Sequence, residues 1–218
     1  MQIAFKEIVA GDVDAVRARL AKNPDMVTLA ASAPPKKYQG QSPLQVAYRT
    51  GEFEIGALLL DHGADPNYIE HGEREPWAMP VLHDAIMAAV MRSRWLRPTW
   101  REENPWQLRN SAETSDAAFA ALELLLDSGA DVQALDSYGN SSLARAVLDA
   151  RQILPSYRHS DPDWVDPKPL NPELVDDLTR IFRALISRGA DPSRPDPHLG
   201  KPLAEHYQAE PVAQFLVA

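Results

Sequence analysis

The residues whose types could do chemistry in this 218-residue chain are its histidines and the carboxylates beside them. His83 is followed by Asp84, and Glu205-His206 stand shortly before Glu210. A histidine with an acid at hand could shuttle a proton or hold a metal ion. However, His62, His71, His159, His198 and His206 fall at no repeated metal-ligand spacing. Glu205, His206 and Glu210 read as the solvated face of a short terminal helix. Neither a Gly-rich phosphate loop, a nucleophile elbow nor a Ser/His/Asp arrangement stands out. We therefore expect no catalytic residue, no metal, no cofactor and no enzymatic activity.

A second group of residues suits recognition. The run RSRWLRPTWREENPWQLRN holds Trp95, Trp100 and Trp106 among arginines that include Arg101. Residues 91–109 carry five Arg against two Glu, so this segment is +3 while the chain as a whole is −9 and its remainder −12. Trp and Arg are enriched at interface hot spots. Arg alternating with Trp also suits the stacking of single-stranded bases, but the acidic remainder opposes phosphate. The net charge is easier to reconcile with a basic protein partner, although acidity also simply keeps a surface soluble. Long connections must themselves be anchored, so these tryptophans have two readings, anchors or contacts.

The elements that position these segments are set by a repeat. LLLDHGAD, LLLDSGAD and ALISRGAD end at Asp65, Asp131 and Asp191. In each, leucines form a buried stripe, and Gly63, Gly129 or Gly189 provides a residue that tolerates positive φ past a helix end. Upstream lie Ser42-Pro43-Leu44-Gln45-Val46-Ala47, Pro80-Val81-Leu82-His83-Asp84-Ala85 and Ser141-Ser142-Leu143-Ala144-Arg145-Ala146. Together these fragments resemble the ankyrin repeat, most closely in GQSPLQVAYRTGEFEIGALLLDHGADPN from Gly40 to Asn67. The resemblance extends to a first unit with a shortened turn near Ile8 to Val27 and a clipped last one from Lys201 to Ala218.

The fold this implies is all-α: an ankyrin-repeat solenoid of about five helix-turn-helix repeats in one domain, approximately 1–36, 37–68, 69–134, 135–194 and 195–218. Periodicity places outer helices on Ile55, Leu58 and Leu59, on Phe119, Leu122, Leu125 and Leu126, and on Leu178, Ile181, Phe182, Leu185 and Ile186. The last of these opens with Asn171 as N-cap and Pro172 at its first position. Inner helices are carried by Leu44, Val46 and Ala47, by Leu82, Ala85 and Ile86, and by Leu143, Ala146 and Val147.

From the start of the inner helix to the glycine stop takes 21 residues in the complete unit but 49 and 48 in the next two. Both surpluses fall between inner and outer helix, as insertions of about 92–113 and 155–171 that should project side by side. Apolar spacing carries one helix through Met91 toward Trp95 and the other to Leu154, before Pro155 ends it.

The resemblance also implies roles. His83 occupies a position that hydrogen-bonds within and between hairpins. The concave face, where partners of this family dock, would present Tyr38, Gln39 and Gln41, then Leu135, Ser137, Tyr138 and Asn140, at hairpin tips. Arg49, Thr50, Met87, Ala88, Leu148 and Asp149 would line it at the inner-helix ends. The turn containing Pro76-Trp77 departs from the pattern. We expect a protein-protein interaction module that uses chiefly this concave face, with Trp95, Trp100 and Arg101 on the inserted edge as the competing surface. An immunity-type inhibitor of a basic toxin or enzyme is the alternative, and an enzyme or nucleic-acid binder built on the insertions is a weaker one. The composition lacks cysteine, a secretory leader pattern and a membrane-length apolar run. A cytoplasmic monomer is the expectation that follows.

Overall fold

Leucine stripes at helical spacing, cut off by glycine, produce nine α-helices among the described residues. The computed structural model describes residues 2–32, 36–70, 78–103 and 105–217, so Trp77, Pro76 and His71 lie outside them. The helices are α1 (Ile3–Val9), α2 (Val13–Lys22), α3 (Pro43–Thr50), α4 (Phe53–Asp61), α5 (Val81–Met91), α6 (Ala112–Asp127), α7 (Ser142–Ile153), α8 (Pro172–Ser187) and α9 (Leu203–His206). A 3-10 turn at Pro211–Phe215 follows the last.

Packing sorts them into two rows. One row is α1 on α3 on α5 on α7, the other α2 on α4 on α6 on α8, and each helix also packs on its sequence neighbour in the opposite row. The stripes read from the sequence are what these rows bury: Leu44, Val46, Ala47, Ile55, Leu59, Leu82, Ala85, Ile86, Leu122, Leu125, Leu143, Ala146, Val147, Leu178, Ile181, Phe182 and Leu185 are all inaccessible. Tyr48 joins the rows, since its buried hydroxyl donates to the Ala121 carbonyl at 2.8 Å and its ring lies where Gly56 leaves room.

Local caps fix the helix starts. Ser42 and Gln45 form a reciprocal capping box on α3, and Ser141 and Ser111 accept from the third residue beyond them on α7 and α6. Asn171 precedes Pro172 as expected, but its side chain does not cap α8: the amide donates to the Arg94 carbonyl at 2.8 Å instead.

The glycine stops are left-handed, with φ of +84° at Gly63, +93° at Gly129 and +102° at Gly189. A Cβ built at Gly129 would meet nothing within 4 Å, so the only penalty for a side chain there is the backbone's own. Gly129→Val should therefore destabilise the protein by about 1–3 kcal/mol in denaturant titration. Equal midpoints for variant and parent would show that this φ is not required.

After each stop the Asp accepts from the backbone two residues on, at 2.8 Å for Asp65, Asp131 and Asp191. The next side chain then reaches forward to the following turn. Asn67 donates to the Gly129 carbonyl and accepts from the Asp131 amide, and Gln133 donates to the Gly189 carbonyl at 2.7 Å.

The all-helical expectation needs one correction. Residues between α5 and α6 form an antiparallel hairpin, β1 (Leu96–Pro98) with β2 (Trp106–Leu108), pairing Leu96 with Leu108, Arg97 with Gln107 and Pro98 with Trp106. Helix α5 does not continue toward Trp95, because its last carbonyls are taken from outside. The Asn110 amide donates to the carbonyls of Met91 and Ser93, and Trp95 Nε1 donates to Met91 as well. Helix α7 runs to Ile153 and gives way before Pro155, as expected.

Candidate interaction site

Placing the expected contact residues one by one divides them sharply. Tyr38 is buried with the Lys37 ammonium 4.6 Å from its ring, and Gln41 is buried and donates to Glu70 at 2.9 Å. Asp149 is buried too, ion-paired with Arg145 one helical turn back, and burial raises its carboxyl although Arg145 opposes the rise. These three offer no surface to a partner, which corrects their expected exposure at tips and helix ends. Asn140 is half-buried and ties its own turn together through both carboxylate oxygens of Asp136. Arg49 is exposed, 3.9 Å from the wholly buried Asp84. Of the other large side chains expected on a concave face, Tyr138 (58%) and Leu135 (45%) are exposed.

The segments between α5 and α6 and between α7 and α8 are different. Trp100 is 88% exposed at the end of the hairpin, and the Arg101 guanidinium lies 5.6 Å from its ring. Leu108 on β2 is also exposed, as are Val165 (82%) and Leu170 on the second inserted segment. The two segments meet: the Lys168 ammonium is 5.4 Å from the Trp95 ring, and Asn171 bonds Arg94 as described. Trp95 is half-buried, packed against the core with its Nε1 on the Met91 carbonyl, so it anchors the hairpin, and Trp106 is half-buried on β2. Trp164 is half-buried as well, under the Arg158 guanidinium at 3.7 Å.

What holds the hairpin in place was invisible in the sequence. Asp177 on α8, 1% exposed, accepts from the Arg94 backbone amide at 2.8 Å and from its guanidinium at 3.0 and 2.8 Å. Arg180 adds a contact at 3.1 Å. Burial alone would raise the Asp177 carboxyl, but the Arg94 hydrogen bonds and the nearby Ser115 and Arg180 outweigh it and hold it below its ordinary value. The signal in the sequence is only that Asp177 interrupts nothing on its helix, and its partner lies 83 residues away.

The second segment is fastened similarly. Glu210, expected on a solvated face, is instead buried; it accepts from Arg151 at 2.6 Å and lies 3.1 Å from His159 Nε2. His83 is also buried, with Asp136 4.0 Å away, and burial pushes its imidazole down to about 4 against the pull of that carboxylate. Among the described residues no group of three or more His, Cys, Asp or Glu is arranged to hold a metal ion. Among them, too, no helix is long and apolar enough to cross a membrane.

The rows of paired helices, the left-handed glycine stops and the capped turn chemistry define the class of structure, and comparison with known families agrees. Residues 39–70 match the ankyrin repeat family, so the resemblance read from the sequence is shown there. Ankyrin repeats generally mediate protein-protein interaction. The chain is similar to the E3 ubiquitin-protein ligase XB3 of Oryza sativa subsp. japonica, at 29% identity over 82 residues. That similarity covers 38% of this chain and 17% of the rice protein.

Proposed function

We propose that this protein is a non-catalytic binding module that grips another protein through the inserted edge, with Trp100 at the centre of the contact. The two rows of helices then act as a scaffold of five ankyrin units with approximate limits at 36, 68, 134 and 194. Their solenoid carries both insertions on one edge. The observation that supports this reading is the exposure of Trp100 on a hairpin whose base is fixed by Arg94, Asn110 and Asp177. A large aromatic held outward on an anchored support loses little conformational entropy when a partner covers it. The concave face would retain Tyr138, Leu135 and Arg49 as exposed groups among the expected contacts, and it is the second surface to test.

A photo-crosslinking residue placed at 100 or at 138, in cells that make the protein natively, compares the two surfaces directly. Capture from position 100 is the expected result, and capture from 138 alone would move the contact to the concave face. Once a partner is in hand, Trp100→Ala should weaken binding by about 2 kcal/mol or more, yet leave the melting transition within about 0.5 kcal/mol of the parent. Undiminished affinity in that variant would remove Trp100 from the footprint.

A further inference from the structure

We infer that the hairpin docks an acidic peptide segment of the partner, its carboxylates on Arg97 and Arg101 and an apolar side chain against Trp100. This rests on the reading that the inserted edge is the contact surface, and it adds which chemistry that surface selects.

Charge pairing points to it. Several of the other arginines are matched with carboxylates, Arg19 with Glu7, Arg94 with Asp177, Arg145 with Asp149, Arg151 with Glu210, Arg180 with Asp116 and Arg188 with Asp127, and the exposed ones that are not, Arg17, Arg158, Arg183 and Arg194, stand singly on separate elements. On the hairpin, Arg97, Arg101 and Arg109 are exposed, and no carboxylate of the described residues lies within ion-pair distance of them. Among the described residues, the Arg97 guanidinium meets the neutral Gln107 side chain at 3.4 Å, and Arg101 lies beside the Trp100 ring with its backbone amide donating to the Thr99 hydroxyl. In a chain with nine more acids than bases, Arg97 and Arg101 bring two guanidinium groups without a carboxylate partner among the described residues to one projecting element.

Shape adds a seat. Arg97, Pro98, Thr99, Trp100, Arg101 and Gln107 line an open hollow of about 410 Å³. It has two guanidinium groups, which accept carboxylates in fork geometry, beside one aromatic face. Such a hollow matches a residue pair, one acidic and one apolar, better than it matches a polyanion. The net charge of −9 opposes a long run of phosphates, whereas a short segment meets only the groups that line the hollow. The partner's own net charge can still be basic, because docking here reads only the segment that enters the hollow.

The test uses fluorescence anisotropy with the full chain and a labelled peptide whose central phenylalanine is flanked by glutamates. A lysine-flanked peptide and an oligothymidylate serve as competitors of the other two chemistries. The acidic peptide should bind best, weaken as salt rises, and lose about tenfold in affinity with Trp100→Ala and with Arg97→Gln/Arg101→Gln, but not with Tyr138→Ala. Trp100→Phe should restore part of the loss. All these positions are exposed, and circular dichroism checks that each variant folds. Tighter binding of the oligothymidylate, acidic binding indifferent to the hairpin variants, or a dimer that Arg101→Gln dissociates would each overturn the inference. If the lysine-flanked peptide wins and still needs Trp100, the inserted edge stands and only its acid selectivity falls. If no peptide needs Trp100, both readings fall together.

Discussion

Replacing Asp177 with Ala should cost about 2–4 kcal/mol of stability and release the hairpin from the scaffold. The carboxylate is buried and accepts three hydrogen bonds from Arg94, one of them from the backbone, so its removal strips partners from groups that are themselves half-buried. Breaking a buried charged pair from one side typically costs more than a surface pair ever contributes. Arg94 retains some exposure and can recover water, which argues for the lower half of that range. Amide exchange would locate the effect, because faster exchange should be confined to about residues 94–110 and the start of α8. The Asp177 carboxyl sits below its ordinary value when folded, so its contribution is present above the ordinary carboxylate range and lost as pH falls through the folded value. The gap between parent and variant should accordingly close in strong acid. A stable Asp177→Ala protein with unaltered exchange would show that the hairpin is fixed by Asn110 and Trp95 alone.

The joint contribution of His83 and Asp84 to stability between pH 4 and 8 should follow a plateau and then a decline, because these adjacent residues on α5 titrate in opposite directions. Burial pushes the His83 imidazole down to about 4. Burial also pushes the Asp84 carboxyl up to about 8, against Arg49, Gln45 and Arg145 and with help from Glu70. A lowered histidine contributes stability above its unfolded value of about 6.5 that is lost as pH falls toward 4. A raised aspartate does the reverse: its contribution is full below about 4 and is lost as pH rises through 8. From about 4 to 6.5 the two slopes, each about 1.4 kcal/mol per pH unit, cancel. Above 6.5 only Asp84 continues, removing about 2 kcal/mol by pH 8.

Asp84→Asn, which keeps the neutral shape, should abolish this decline and uncover a rise between 4 and 6.5. His83→Gln should uncover a fall over the whole interval. Urea midpoints at half-unit steps measure both, and the difference from parent isolates each group from the other carboxyls. A variant whose curve runs parallel to the parent's would show that Asp84 is not held neutral.

The repeat was legible because its determinants are local. A leucine stripe and a glycine at its end need only neighbours in sequence, so α4, α6 and α8 and their left-handed stops could be read directly. Helix α5 was over-extended for the opposite reason: its cap, Asn110, arrives from the far side of a hairpin. The contact residues carried over by resemblance fared worst, since alignment fixes a position on a helix but not what covers it. Asp149 illustrates this, as its turn of α7 also carries Arg145, which draws the carboxylate inward. Nor could composition separate the tryptophans, because Trp95 and Trp100 stand in similar Arg-rich surroundings and only the tertiary base of the hairpin makes one an anchor and the other a free face.

The ladder of turn side chains stops at the turn that follows α8. Asn67 and Gln133 each reach the next turn, but the equivalent residue after Asp191 is Ser193, which is too short and bonds Asp191 itself. Beyond that point the C-terminal residues are held by packing of the Pro211–Phe215 turn against α7 and α8 and by the Glu210 contacts with Arg151 and His159. Under tension from the C-terminus, parting should begin at this unreinforced seam while the three upstream turns stay zipped. Because Glu210 also holds His159, the same rupture would slacken the second inserted segment, so mechanical load on the tail is transmitted to the edge that carries Val165 and, through Lys168, to the foot of the tryptophan hairpin.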